Sequence, residues 1–286
     1  MDENHTLTGN IQSHPQFESR ILRNKRDVQV YLPPGYRRSR QRRYPVLYLH
    51  DGQNVFDAAT SFGGVEWGAD ESAERLAKKR LIEPLIIVAA ANTGEKRIHE
   101  YAPTRGVIDS TAPRKKRSRG MLRKYGNFLR DELKPFIDRE YRTRPEAEFT
   151  GLGGSSLGGL ATLTLGLWFP ETFNRLAVMS PSIWWDDCVI YRILDKVRDR
   201  PPLKIWLDTG TLEPGWERAR DLRDRLVEWG WRVDDDLHYT EVEGGNHSEG
   251  AWAARFEAVL RFLYPPLPLG MKEHPPKPLV LQAAAR

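Results

Sequence analysis

A single cysteine, Cys188, is all that the 286 residues contain, which excludes an intramolecular disulfide framework and agrees with a reducing compartment. Long apolar runs are missing as well. The longest, Leu85 to Ala91, spans seven residues, against the roughly 20 that a membrane helix needs, so no membrane span is expected. The first twenty residues are polar and hold no apolar stretch before a small-residue cleavage site; no secretory signal is expected in this chain, and the cytoplasm is the expected compartment. A large charge excess is also lacking: 44 Lys and Arg stand against 39 Asp and Glu, a net charge of +5. The basic runs Arg37 to Arg43 and Arg114 to Arg123 lie between periodic segments and have no interleaved aromatics beyond Tyr36 and Tyr44. They read as solvated loops, and no nucleic-acid partner is expected. No Gly-Lys-Ser/Thr phosphate loop occurs. Gly151-Leu152-Gly153 starts like a dinucleotide fingerprint, but Ser156 stands where the third glycine belongs and no strand-end acid follows about twenty residues later. His50 and Asp51 lack further ligands at metal-binding spacing. Neither a cofactor nor a metal is expected.

What is present fits one domain. The chain is 40% hydrophobic, enough to build a core at this length. Short apolar runs alternate with helical patterns from residue 27 to residue 263, the signature of a mostly parallel central sheet flanked by helices. The runs predict strands at Asp27 to Leu32, Val46 to His50, Leu85 to Ala91, Phe149 to Gly151, Leu176 to Ser180, Lys204 to Asp208 and Leu237 to Val242, with an edge strand at Phe17 to Leu22. Helical spacing joins Ala73, Leu76 and Ala77, and again Leu122, Tyr125, Phe128, Leu129 and Leu133, where Pro135 kinks or restarts the helix. Ala219, Leu222, Leu226 and Trp229 mark another helix, closed by Gly230, and Trp252, Phe256, Val259, Leu260 and Leu263 mark the last. Residues 1–16 and the Pro-rich residues 264–286 are expected to be mobile tails around a domain at 17–263.

One motif carries chemistry. Gly154-Ser155-Ser156-Leu157-Gly158 matches G-x-S-x-G between a strand pattern and an apolar helix pattern running to Phe169-Pro170. A serine hydroxyl is a poor nucleophile until a sharp strand-to-helix turn presents it and a base takes its proton. Ser156 is therefore the candidate nucleophile, and Ser155 sits in the wrong slot. Acid and then histidine should follow in the chain, each at a later strand end. Of the two histidines after Ser156 within the domain, His238 lies inside a strand pattern, whereas His247 sits in the loop Glu243-Gly244-Gly245-Asn246-His247-Ser248 and is the candidate base. The acid is Glu213 or Asp208, both near the end of the Lys204 strand; Glu213 is favoured because its longer arm suits its greater distance along the loop. Asp186, Asp187 and Asp195 are outsiders. Charge developing on an attacked carbonyl needs fixed donors. The backbone N–H of Leu157 supplies one, and Gln53, after Gly52, the other, with Asn54 as alternate. Trp184 and Trp185, and Arg97 and Tyr101, follow strand ends and are candidate substrate contacts; the alternative readings are core packing for the tryptophans and loop fixing for Arg97, His99, Glu100 and Tyr101.

The blocks Y-P-V-L-Y-L-H-D-G-Q-N-V-F-D, R-I-H-E-Y, G-G-S-S-L-G-G, S-P-S-I-W-W, D-T-G-T-L-E and G-G-N-H-S-E-G-A-W occur in this order. Together they resemble the "Putative esterase" family of α/β hydrolases, which includes esterase D-like enzymes, feruloyl esterases, siderophore trilactone esterases and mycolyltransferases. The likeness covers roughly residues 17–263. It implies an α/β-hydrolase fold, Glu213 as the acid and Gln53 as an oxyanion donor. It further implies a serine esterase acting on a small-molecule carboxylic ester through an acyl-enzyme on Ser156. An acyltransferase with the same triad, or a catalytically inactive binding protein on this fold, are the alternatives.

Overall fold

The structure, a computed structural model, describes residues 5–109 and 116–267. Its strands are β1 (Asn10–Ser19), β2 (Asn24–Leu32), β3 (Val46–Leu49), β4 (Ile86–Ala90), β5 (Val107–Asp109), β6 (Lys116–Arg117), β7 (Thr150–Ser155), β8 (Arg175–Met179), β9 (Lys204–Gly210) and β10 (Leu237–Val242). Its helices are α1 (Ala69–Lys78), α2 (Arg97–Tyr101), α3 (Leu122–Phe128), α4 (Lys134–Glu140), α5 (Leu157–Trp168), α6 (Trp185–Leu194), α7 (Glu217–Glu228) and α8 (Glu249–Leu263). Eight strands form one sheet in the order β1-β2-β4-β3-β7-β8-β9-β10. β1 and β2 are antiparallel to their neighbours, and every pairing from β4 to β10 is parallel. The expected α/β-hydrolase architecture, a mostly parallel sheet between helices, is what the chain adopts.

Parallel strands bury both faces, so their sequences read as continuous apolar runs whose alternate residues enter different cores. In β3, Val46 and Tyr48 face one core while Leu47 and Leu49 face the other; in β4, Ile86, Val88 and Ala90 oppose Ile87 and Ala89. α1 and α8 cover the second of these faces through Ala73, Leu76, Phe256 and Leu260. α3, α5, α6 and α7 cover the first. A wide turn over Leu129–Leu133 joins α3 to α4 just before Pro135, which lies in the first turn of α4. Proline lacks the N–H that a continuous α-helix would use there, and the chain rewinds around it.

Three expectations are corrected. β1 begins at Asn10, not Phe17: it is a polar edge strand with a bulge at Pro15 and Gln16, a place where proline is tolerated and apolar patterning is absent. β7 runs on through its glycines to Ser155 because side chains there have no room. A Cβ on Gly151 would fall 2.2 Å from the Tyr264 hydroxyl, and one on Gly153 would fall 2.8 Å from that of Ala177. Tyr264 itself is buried, its hydroxyl donating to the Val46 carbonyl at 3.1 Å, so the body of the domain extends past Leu263. Residues 268–286 of the Pro-rich segment and 110–115 of the basic 102–119 stretch lie outside the described residues; the flanks of the latter pair as β5 and β6. No helix among the described residues is long and apolar enough to cross a membrane.

Candidate active site

Ser156 stands between β7 and α5 at φ 58°, ψ −124°. A non-glycine residue held in such a region costs about 1–3 kcal/mol and persists only when its surroundings fix it. Here the Ser156 N–H donates to the Met179 carbonyl at 3.0 Å, and its own carbonyl accepts from Ser182 and Leu160. The hydroxyl is thereby turned to the open end of the sheet. His247 lies in the loop between β10 and α8, with Nε2 2.9 Å from Ser156 Oγ and Nδ1 2.8 Å from Glu213 Oε2. The Trp252 ring meets the imidazole edge-on at 4.9 Å.

The carboxylate end is buried and saturated. Glu213 Oε1 accepts from the Ser180 hydroxyl at 2.6 Å and the Gly210 N–H at 2.8 Å. Burial would raise its pKa, but hydrogen bonds from His247, Ser180 and Gly210 outweigh burial and hold it below the ordinary glutamate value. Asp208, the other acid candidate, does not reach the histidine. It accepts from Arg255, from the Ser180 N–H and from the Trp206 indole at 2.9, 3.1 and 2.7 Å. Complete burial pushes its pKa up to about 6, with Arg255 opposing. Ser180 links the two acids, because its hydroxyl also accepts from the Trp252 indole at 3.0 Å and from Arg255 at 3.2 Å. Asp186, Asp187 and Asp195 take no part in this chain of bonds.

Two backbone donors near the serine are unused: Leu157 follows it in the chain, and Gln53 lines the same cleft. The first turn of a helix leaves its N–H groups without intrahelical partners, and the Leu157 amide has no acceptor among the described residues. Neither has the Gln53 amide, whereas Asn54 N–H is taken by the Asp51 carbonyl at 2.9 Å, which removes the alternate. The loop after β3 is fixed from below. Gly52 is indispensable, since a Cβ there would lie 2.5 Å from the Ala89 carbonyl carbon. Asp51 accepts both Nε and Nη2 of Arg97 at 2.7 Å and the Asn92 side-chain amide at 2.7 Å. Burial would raise its pKa; the Arg97 guanidinium outweighs burial and keeps it low. His50, buried against Tyr125 at 3.0 Å, has its pKa lowered to about 4 by burial and is neutral.

Two clefts meet at this point. The larger, about 630 Å³, is lined by Gln53, Phe62, Val65, Arg97, Ser156 and Glu249 among others. The smaller, about 230 Å³, lies on the other side of His247 and is lined by Ser182, Ile183, Trp184, Trp216 and Arg218. Trp184 is 55% exposed and stands where a substrate contact was expected, as does Arg97. Trp185 and Tyr101 do not. Trp185 is buried with its indole donating to Thr104 at 3.3 Å, and the buried Tyr101 hydroxyl accepts the Asp51 N–H at 3.1 Å. Both hold the scaffold, not the cleft. Ser180, Ser182 and Arg255 escaped the sequence reading because serine after a strand and arginine in an amphipathic helix carry no pattern of their own.

Residues 19–263 match the protein family described as "Putative esterase". Ferri-bacillibactin esterase BesA of Bacillus subtilis is 27% identical over 226 residues, covering 71% of this chain and 73% of BesA. The endo-1,4-beta-xylanase/feruloyl esterase of Xylanibacter ruminicola is 31% identical over 182 residues, 63% of this chain and 22% of that protein. In fold, the chain is similar to the enterobactin esterase FES of Shigella flexneri, crystallised in the presence of enterobactin, with a TM-score of 0.72 at 21% identity, covering 90% of this chain and 60% of that one.

Proposed function

The chain belongs to the "Putative esterase" family and is a carboxylic ester hydrolase, and from that premise we propose that it works through an acyl-enzyme on Ser156 with His247 and Glu213 completing the triad. The observation that carries this reading is the unbroken run from Ser156 Oγ to His247 Nε2 at 2.9 Å and from His247 Nδ1 to Glu213 Oε2 at 2.8 Å. Glu213 holds the Nδ1–H tautomer, leaving Nε2 free to take the serine proton. As Ser156 Oγ attacks the ester carbonyl, that proton passes to Nε2 and the oxyanion forms against the Leu157 and Gln53 amides. Two fixed donors of this kind are each worth about 10²- to 10³-fold in rate. His247 then protonates the leaving alcohol, and a water activated by the same nitrogen releases the acid.

The substrate in this reading is an ester of an aromatic acid. An exposed tryptophan, Trp184, lines the smaller cleft with a second aromatic, Trp216, and an apolar Ile183, an aryl platform in the cleft that His247 also lines. The relative whose name includes feruloyl esterase supports the same class. The intact triad geometry weighs against the inactive binding protein. Labelling with a fluorophosphonate probe tests the proposal: wild type reacts and turns over methyl ferulate, and Ser156→Ala does neither. Equal labelling of both proteins would overturn the assignment.

A further inference from the structure

Three carboxylates converge where the N-terminal segment crosses the start of α1. One oxygen each from Glu66, Asp70 and Glu71 lies within 4.8 Å of one from each of the others. Asp70 is fully buried, and Asp70 Oδ1, Glu66 Oε2 and Glu71 Oε2 are buried oxygens without a hydrogen-bond partner. Their other oxygens are held by the N-terminal segment: Thr8 N–H donates to Asp70 Oδ2 at 2.6 Å, Thr8 Oγ1 to Glu71 Oε1 at 2.9 Å, and Thr6 Oγ1 to Glu66 Oε1. No Lys, Arg or His among the described residues pairs with any of the three; the neighbouring Lys78 pairs with Glu74, and His5 with Asp57. The dipole at the α1 N-terminus supplies about half a charge, too little for three carboxylates. A buried anion without a partner is costly, so the cluster calls for a cation.

We propose that Glu66, Asp70 and Glu71 form a Ca²⁺ site that ties residues 6–8 to the loop before α1. The donor set is all oxygen and rich in carboxylate, which suits a hard divalent ion. Donors around Ca²⁺ at about 2.3–2.6 Å are separated by no more than about 5 Å, the spread found here. The Thr6 and Thr8 hydroxyls and water complete the shell. The ion stands apart from the reacting atoms but steadies their surroundings. Val65 and Trp67 flank Glu66; Val65 lines the larger cleft, and the Trp67 indole donates to Glu249 in the same cleft. The rival arrangement is a proton shared by Asp70 and Glu71, since burial and the adjacent Glu71 push Asp70 up to about 8.

The test uses the full chain stripped by chelating resin, titrated calorimetrically with CaCl₂ and separately with MgCl₂, with Tm followed in parallel. The expected result is one Ca²⁺ per chain, bound more tightly than Mg²⁺, with Tm raised by roughly 5 °C at about 100 times Kd. Asp70→Asn and Glu71→Gln should each weaken Ca²⁺ binding at least tenfold, and if Asp70→Asn does not fold, Glu71→Gln and the wild-type titration decide. Absence of Ca²⁺ binding, Ca²⁺ binding unaltered in Glu71→Gln, or tighter Mg²⁺ binding would each overturn the proposal. A metal-free Asp70→Asn protein more stable than wild type, with no Tm response of wild type to Ca²⁺, would establish the shared proton instead.

Discussion

Replacing each acid by its amide separates the roles of Glu213 and Asp208, because the two carboxylates have different partners. In Glu213→Gln, both Gly210 N–H and the Ser180 hydroxyl donate toward the position of Oε1, so the amide oxygen is retained there and the NH₂ group turns to His247. That NH₂ meets Nδ1 as a donor and selects the tautomer with its proton on Nε2. Such an imidazole cannot accept the Ser156 proton. The expected loss is about 10³- to 10⁴-fold in kcat, equivalent to about 4–5 kcal/mol of transition-state stabilisation, with little change in Tm. In Asp208→Asn, the triad bonds survive, but Arg255, which is buried, loses the nearer of its two carboxylates, at 2.9 Å, and keeps only Glu213 at 3.8 Å. Removing one partner of a buried pair costs about 3–5 kcal/mol of stability. The expected result is therefore a urea midpoint that falls clearly while kcat, measured well below the transition, stays within about tenfold of wild type. The assays are p-nitrophenyl ester turnover and urea unfolding on both variants. Glu213→Gln within tenfold of wild-type kcat, or Asp208→Asn losing 10³-fold in kcat at unchanged stability, would refute the assignment of the acid.

Other predictions rest on separate parts of the structure. Gly52→Ala forces a Cβ into the β4 backbone at 2.5 Å and displaces the Gln53 amide; kcat should fall at least about 10²-fold, and a value within threefold of wild type would remove Gln53 from the oxyanion site. His50, with a folded pKa lowered to about 4 against an ordinary 6.5, binds a proton more readily when unfolded, so its contribution is present above pH 6.5 and is lost as pH falls toward 4. Between pH 7.5 and pH 5 this amounts to about 2 kcal/mol; wild type should lose that much more stability than His50→Asn over the same interval, and parallel losses would contradict it. Trp184→Ala should raise KM for methyl ferulate about tenfold relative to KM for p-nitrophenyl acetate, and equal effects on both esters would dismiss the aryl platform.

The central strands and the serine segment were legible because parallel strands buried on both faces leave continuous apolar runs, and because a strand, a G-x-S-x-G turn and an apolar helix occur together only in a few arrangements. His247 was legible as the histidine in a glycine-rich loop after the last strand. β1 was not, since Asn10–Ser19 is a solvated edge held by backbone pairing and carries just Ile11 and Phe17 as apolar residues. The glycines of β7 read as a loop because glycine is a poor strand former in isolation; close packing of Tyr264 and Ala177 is what requires them. Trp184 and Trp185 could not be told apart by period. Asp186, Asp187 and Cys188, which follow both rings, have φ of 45°, 52° and 52°, a left-handed turn without a glycine to announce it. The choice of Glu213 over Asp208 turned on which carboxylate reaches the imidazole, a distance that depends on how the loop after β9 folds back under Ser180.

The acyl-enzyme on Ser156 is the centre of the account, and rapid mixing with a p-nitrophenyl ester followed by acid quench and peptide mass analysis tests it most directly. The account predicts a burst of about one nitrophenol per chain and an acyl group on the peptide that contains Ser156, at that residue, with both absent from Ser156→Ala. An acyl group on Ser155 or Ser182, or a burst that persists in Ser156→Ala, would contradict it.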